Sequence, residues 1–195
     1  MNPQIKQSLK FSITIAVITF VLAAIFSVIS SSILSKVIWL IGLLVVLIIV
    51  LIGVLFDMVG IASTSATEAP FHAMAAEKIT GAKEAVAIIR NADKFASFCN
   101  DVIGDISGIV SGTATALVVL QITNLLGESD GSPLEITLSV LITSIVAALT
   151  VGGKAIGKYI AINSSTKIIH FAGKVVYVLE KKMKINIFSN EKNKK

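Results

Sequence analysis

Asp57, Glu68, Asp101 and Asp105 are the side chains of this 195-residue chain whose setting asks for a chemical explanation. Each lies in or beside a stretch of mostly aliphatic residues, where a carboxylate is costly and normally faces a bundle interior or a wet path. Around them stand hydroxyls and an amide: Ser63, Ser65, Thr67 and Asn100. Oxygen donors of this kind suit Mg²⁺ or Ca²⁺, whereas zinc and copper ask for imidazole and thiolate. Asp101 and Asp105, four residues apart on a helix, share a face and repel unless a cation or a donor lies between them. Asp57 is the weakest candidate, because water reaches the end of its apolar run. Two readings stay open: polar caps and interhelical hydrogen bonds at a membrane boundary, or the ligands of an ion.

The remaining chemistry-bearing residue types are sparse. His72 and His170 are the only histidines and lie far apart, which suits structural or surface roles better than a metal centre. Cys99 is the only cysteine. It excludes an internal disulfide and a thiolate metal site, and reads as a small packing residue. No nucleophile paired with a base, phosphate-cradling loop or zinc motif is present. The expectation is therefore a non-enzymatic chain without a cofactor.

The elements that must carry these residues follow from composition. The chain is 54% hydrophobic and only 15% charged, with a mean hydropathy of +0.87; soluble domains carry about 25% charged residues. The solvent for such a surface is lipid, and the fold class is all-α, a polytopic membrane protein with about four transmembrane helices. The apolar runs are Phe11–Ile29, Val37–Ile61, roughly Ser97–Leu126, and Leu134 to about Val151. Trp39 marks the outer end of the second as an interfacial anchor. Between the second and third runs, Ser65–Phe95 alternates small, charged and apolar residues. Ala75, Ile79, Ala82, Val86 and Ile89 form one stripe. This predicts an amphipathic juxtamembrane belt of one or two helices, broken at Gly81. Ser30-Ser31-Ser32 lacks the A-x-A pattern of a cleavage site, so no cleavable signal peptide is expected.

Charge sets the expected orientation. With four crossings, every basic residue except Lys36 falls on one side: Lys6 and Lys10, then Lys78, Lys83, Arg90 and Lys94, then all the lysines from Lys154 onward. The loop holding Glu128 and Asp130 has none. Positive charge collects inside, so both termini are predicted to be cytoplasmic, in a multi-pass protein of the cell membrane. The net charge of +5 is read as topology and as attraction to lipid, not as a nucleic-acid surface.

At Ser65-Ala66-Thr67-Glu68-Ala69 the chain resembles the S-x-S-E-x-A signature of the CNNM transmembrane domain, found in CorB/CorC-type magnesium and cobalt transport proteins. Gly81-Ala82-Lys83 and Ala85 to Phe95 resemble that family's G-A-R…L-L-x-x-P-x-x-L juxtamembrane helices. Ile103-Gly104-Asp105 falls at its I-G-N-N, and Gly153-Lys154-Ala155-Ile156-Gly157-Lys158 at its G-E-I-x-P-K. The likeness covers roughly Leu51 to Ala161. It implies a homodimer, with residues 37–161 as the shared domain, 65–95 as its belt, 1–36 as an additional N-terminal transmembrane helix and 162–195 as a basic cytoplasmic segment. Small-residue faces such as Gly104, Gly108 and Gly112 invite the close helix contact of a dimer. The resemblance further implies divalent-cation (Mg²⁺) transport or efflux. Ser65 and Asp105 would be ligands, Asn100 and Asp101 substitutes one turn earlier, and Thr67, Glu68, Gly104 and Gly153 neighbours within the motifs.

One departure cuts against this: Lys154 stands at the family's ion-binding glutamate. An ammonium cannot ligate Mg²⁺ and repels it. It would instead pair with Asp105 or Asp101 as a tethered cation. The alternative is then a non-conducting regulatory or interaction protein on the same scaffold. The chain also stops short of the nucleotide-binding CBS pair usual in that family, which points to a separate soluble regulatory partner.

Overall fold

A computed structural model describes residues 3–127 and 131–183. Glu128 and Asp130 of the expected outer loop, and Lys184, Lys192, Lys194 and Lys195 of the basic tail, lie outside the described residues. The described chain is all helical: α1 (Pro3–Leu34), α2 (Trp39–Ser65), α3 (Ala69–Ala76), α4 (Ala82–Arg90), α5 (Ala92–Ser97), a π-helical stretch (Phe98–Gly104), α6 (Asp105–Leu125), α7 (Pro133–Asn163) and α8 (Ser165–Met183). Four helical segments are long and apolar enough to cross a membrane: Leu9–Leu34, Trp39–Ser65, Ala92–Leu125 and Pro133–Asn163. This is a multi-pass, all-α membrane protein.

The helices outrun the apolar runs that announce them. α1 continues through Ser30-Ser31-Ser32 to Leu34, since serines lower helix propensity only slightly. α7 runs well past Val151, through Gly152, Gly153 and Gly157, to Asn163. Glycine weakens a helix interior, but Gly153 has a packing reason: a Cβ there would meet Val54 Cγ2 at 3.0 Å.

The chain divides into two compact units, one of Met1–Phe56 and Asn100–Ala155, the other of Asp57–Cys99 and Ile156–Lys195. The division falls inside α2, the π-helical stretch and α7. In the first unit α6 is the central helix: 56% of its span is buried, against none of α1 and 6% of α7. Val46 and Val50 of α2, Ala114 and Val118 of α6, Leu34 of α1 and Val146 of α7 form one core cluster. Val102, Ile106 and Val110 form a second, against Ile15, Leu22 and Ala23 of α1 and Ile49 of α2. Small residues bring the helices close where no hydrophobic drive exists between them in lipid. A Cβ on Gly53 would sit 2.8 Å from Ser107 Cβ. Gln121 Nε2 of α6 donates at 2.7 Å to the carbonyl oxygen of Leu34, satisfying one of the acceptors left open at the end of α1.

The second unit packs α4 on α3 and α8 around Phe71, Ala85, Val86, Ile88, Ala161, Ile169 and Val176. The belt's break at Gly81 is present, with Gly81 at φ +85° just before α4. The stripe, however, is not the one predicted. A turn separates α3 from α4 and leaves Ile79 exposed, so the buried face of α4 is Ala82, Ala85, Val86 and Ile88. A single helical period cannot be carried across a turn. Gly81 and Gly173 let α4 and α8 touch through backbone: a Cβ on Gly173 would run into the carbonyl oxygen of Gly81 and come within 2.9 Å of Ala85 N.

Candidate functional site

Asn100 and Asp101 lie in the π-helical stretch, Gly104 closes it, and Asp105 opens α6. A π turn widens the helix and is used mostly as a local device, often at functional sites. Here it joins α5 to α6 within one continuous apolar span. Gly104 is buried, its carbonyl oxygen 3.6 Å from where a Cβ on Gly53 would be. It is therefore spent on packing within the chain, not on the open face expected of it. Gly108 and Gly112 differ: they are exposed, and a Cβ on either would meet nothing within 4 Å.

Lys154 of α7 belongs to the same unit and places Nζ 3.9 Å from Asp105 Oδ1. This is the pairing expected of a lysine at that position, at the outer limit of an ion pair. Lys154 is the better covered partner, its side chain 29% exposed against 66% for Asp105. Asp101 is exposed as well. The two aspartates thus present their carboxylates on the outer face of this unit, where lipid, water or another subunit meets them, not in its core.

Asn100 is the inward member of the group. Its Oδ1 is buried and has no hydrogen-bond donor among the described residues. A buried acceptor left unpaired costs about 1–3 kcal/mol, so this oxygen is set to receive a donor or a cation. No three His, Cys, Asp or Glu side chains gather among the described residues. A cation held here would therefore use amide, hydroxyl and backbone oxygens beside one or two carboxylates.

Ser65, Thr67 and Glu68 fall in the second unit. Ser65 ends α2 and is exposed, as is Thr67. Glu68 is part of a polar cluster that spacing only half reveals. His72 Nε2 lies 3.0 Å from Glu68 Oε2, and Arg90 Nε donates to the same oxygen at 3.2 Å. The hydrogen bond from His72, then the one from Arg90 and its charge, hold the Glu68 carboxyl below its ordinary value against some desolvation. Glu68 is thereby a tie between α3 and the end of α4. The i, i+4 spacing of Glu68 and His72 could have shown half of it; Arg90, 22 residues away, could not be found from the sequence.

A second feature missed by spacing arguments is the hydroxyl ladder of α6. Ser107, Ser111 and Thr115 recur every four residues on its buried face. Their hydroxyls donate to the carbonyls of Ile103, Gly108 and Ser111 at 2.7–2.9 Å. Each hydroxyl thus spends its proton on its own helix, and its oxygen lone pairs stay directed into the bundle. Comparison with protein-family models, with curated proteins and with solved structures finds no match.

Proposed function

We propose that this chain is a cation-handling protein of the cell membrane, moving a divalent cation, Mg²⁺ foremost, by a CNNM-like membrane domain. The observation that carries the reading is the buried, undonated Asn100 Oδ1 on a π turn, beside Asp101 and Asp105. Amide and carboxylate oxygens are hard donors, suited to Mg²⁺ or Ca²⁺, and Asn100, Asp101 and Asp105 follow one another within two turns of one helical segment. In this reading Lys154 is a resident countercharge on Asp105 that an incoming cation displaces. Gly153 shapes the surrounding motif; Ser65, Thr67 and Glu68 belong to the other unit, and the resemblance alone gives them a part. The protein acts as a homodimer through the open Gly108 and Gly112 face, with both termini cytoplasmic and a separate soluble partner for regulation. Gly104, covered within the chain, takes no part in that dimer face.

The 3.9 Å approach of Lys154 to Asp105 favours a second reading, a non-conducting interaction protein whose cation site is filled by its own lysine. Mg²⁺ flux into liposomes carrying the purified protein and an internal Mg²⁺ indicator separates the two. Transport predicts flux in the wild type, reduced in Asp105→Asn and abolished in Asn100→Leu. The scaffold reading predicts a silent wild type and flux gained by Lys154→Glu. Silence of both the wild type and Lys154→Glu removes the cation assignment altogether.

A further inference from the structure

α8 carries two apolar faces, and only one is used. Ile169, Gly173 and Val176 are buried, in the cluster that joins α8 to α3 and α4. On the opposite side Phe171, Val175, Val178 and Leu179 form a stripe at helical spacing, with Phe171 68% exposed. Exposed aliphatic residues are expected on the four spans, which lipid covers. α8 is not one of those spans, and its exposed face differs from theirs in one respect. Lys167, Lys174, Lys181 and Lys182 lie on the same side as the stripe, all exposed. At about 100° per residue, Lys182 falls within the stripe and Lys167, Lys174 and Lys181 lie along one flank.

The chain also delivers α8 to a defined depth. α7 is 31 residues long, roughly 46 Å at the α-helical rise. That matches the ~40–45 Å of a bilayer including both headgroup layers. The helix breaks only at Ser164, so a span that enters at Pro133 and runs along the bilayer normal would release α8 at the opposite headgroup layer. Apolar residues interleaved with lysines, on a helix starting at that level, match an anionic lipid surface in both hydrophobicity and charge.

We infer that α8 lies in the headgroup layer of the bilayer its own spans cross, with Phe171, Val175, Val178 and Leu179 inserted and its lysines on anionic headgroups. The sequence pattern alone assigns this role to residues 65–95. The buried face of α4 is instead covered by α8, and the unpartnered amphipathic surface belongs to α8 itself.

The test uses the full chain in a Cys99→Ala background, reconstituted in phosphatidylcholine alone or mixed with phosphatidylglycerol. An environment-sensitive fluorophore is attached at Val175→Cys or Val178→Cys, and quenching is read from nitroxides carried near the headgroups of the lipids. Strong quenching and a blue-shifted spectrum are expected in the mixed bilayer, with a smaller immersed fraction in phosphatidylcholine alone. A near-surface lysine is worth about a fivefold change in partition on an anionic membrane. Replacing the four lysines by glutamine should therefore collapse the difference between the two bilayers while leaving the apolar stripe intact. A water-like spectrum in both bilayers overturns the inference. So does efficient crosslinking of Val175→Cys between two copies, which would make the stripe a subunit contact. A lysine-free variant that still distinguishes the two lipids overturns the electrostatic half.

Discussion

In the unit built on α6, helices meet through aliphatic side chains and small residues. The hydroxyls are turned back on their own helix and the aspartates carried on the outer face, with Gln121 to Leu34 as a polar tie between helices. In the unit built on α4 and α8, helices meet through backbone, Gly81 against Gly173, and a polar cluster of Glu68, His72 and Arg90 ties the short elements together. The difference follows from the solvent each must reckon with. Long spans in lipid gain nothing from hiding apolar surface, so close approach and dispersion hold them. Helices of eight and nine residues such as α3 and α4 are marginal alone and need tertiary packing and polar ties. The first unit can therefore tolerate an exposed carboxylate that answers to function, while the second spends its charges on holding its shape.

The sharpest way to break this contrast is at the backbone contact. Gly173→Ala drives a methyl into the carbonyl of Gly81, and overpacking of this kind costs about 1–3 kcal/mol. Thermal unfolding in detergent should show a larger drop for this variant than for Gly53→Ala or Gly112→Ala, with proteolysis opening between α3 and α5. Gly53→Ala, whose methyl would meet Ser107 Cβ, should follow, at about 1–2 kcal/mol because a serine side chain can yield. Gly112→Ala, facing open space, is the control and should leave the melting temperature unchanged or raise it. If Gly53→Ala is silent while Gly112→Ala destabilises, α6 packs by another face.

Asn100→Leu sharpens the comparison in the opposite direction. It removes a buried acceptor with no donor and should raise stability by about 1 kcal/mol while abolishing any stabilisation of the protein by Mg²⁺. A loss of stability would mean that the amide is already partnered.

The smallest effect is at Glu68. Its carboxyl titrates below its unfolded value, so its contribution is fully present above the ordinary glutamate pKa of about 4.3. It is lost as the pH falls through the lower folded value. Glu68→Gln should lower stability slightly at neutral pH, less so at high salt, and leave it unchanged at pH values below the folded titration, which flattens the acid limb of the stability profile. An unchanged acid limb would show that the cluster holds nothing.

The spans were legible because long aliphatic runs have one physical outcome, and the break at Gly81 because glycine alone adopts that backbone conformation cheaply. The Lys154–Asp105 pair was reached only by aligning motifs with a resembled family, which left Asp101 as an equal partner; spacing along the chain does not bring the two together. Helix ends were not legible, because serine and glycine weaken a helix without stopping one. The exposure of Asp101 and Asp105 and the orphaning of Asn100 depend on which side of α6 packs. The π turn decides that, and no residue type announces it. Arg90 reached Glu68 through the folding of a turn, a relation that hydropathy and period do not encode.

The π-helical stretch also bears on phase. A chain one residue shorter between Phe98 and Gly104 would keep all four spans and nearly the same hydropathy profile. The π turns could then close as α turns, which hold one residue fewer, and the helix on either side of the cut would keep its phase, whereas the same deletion within α6 would turn its two ends by roughly 100°. Seven residues of widened helix thus hold a slack that the rest of the span lacks.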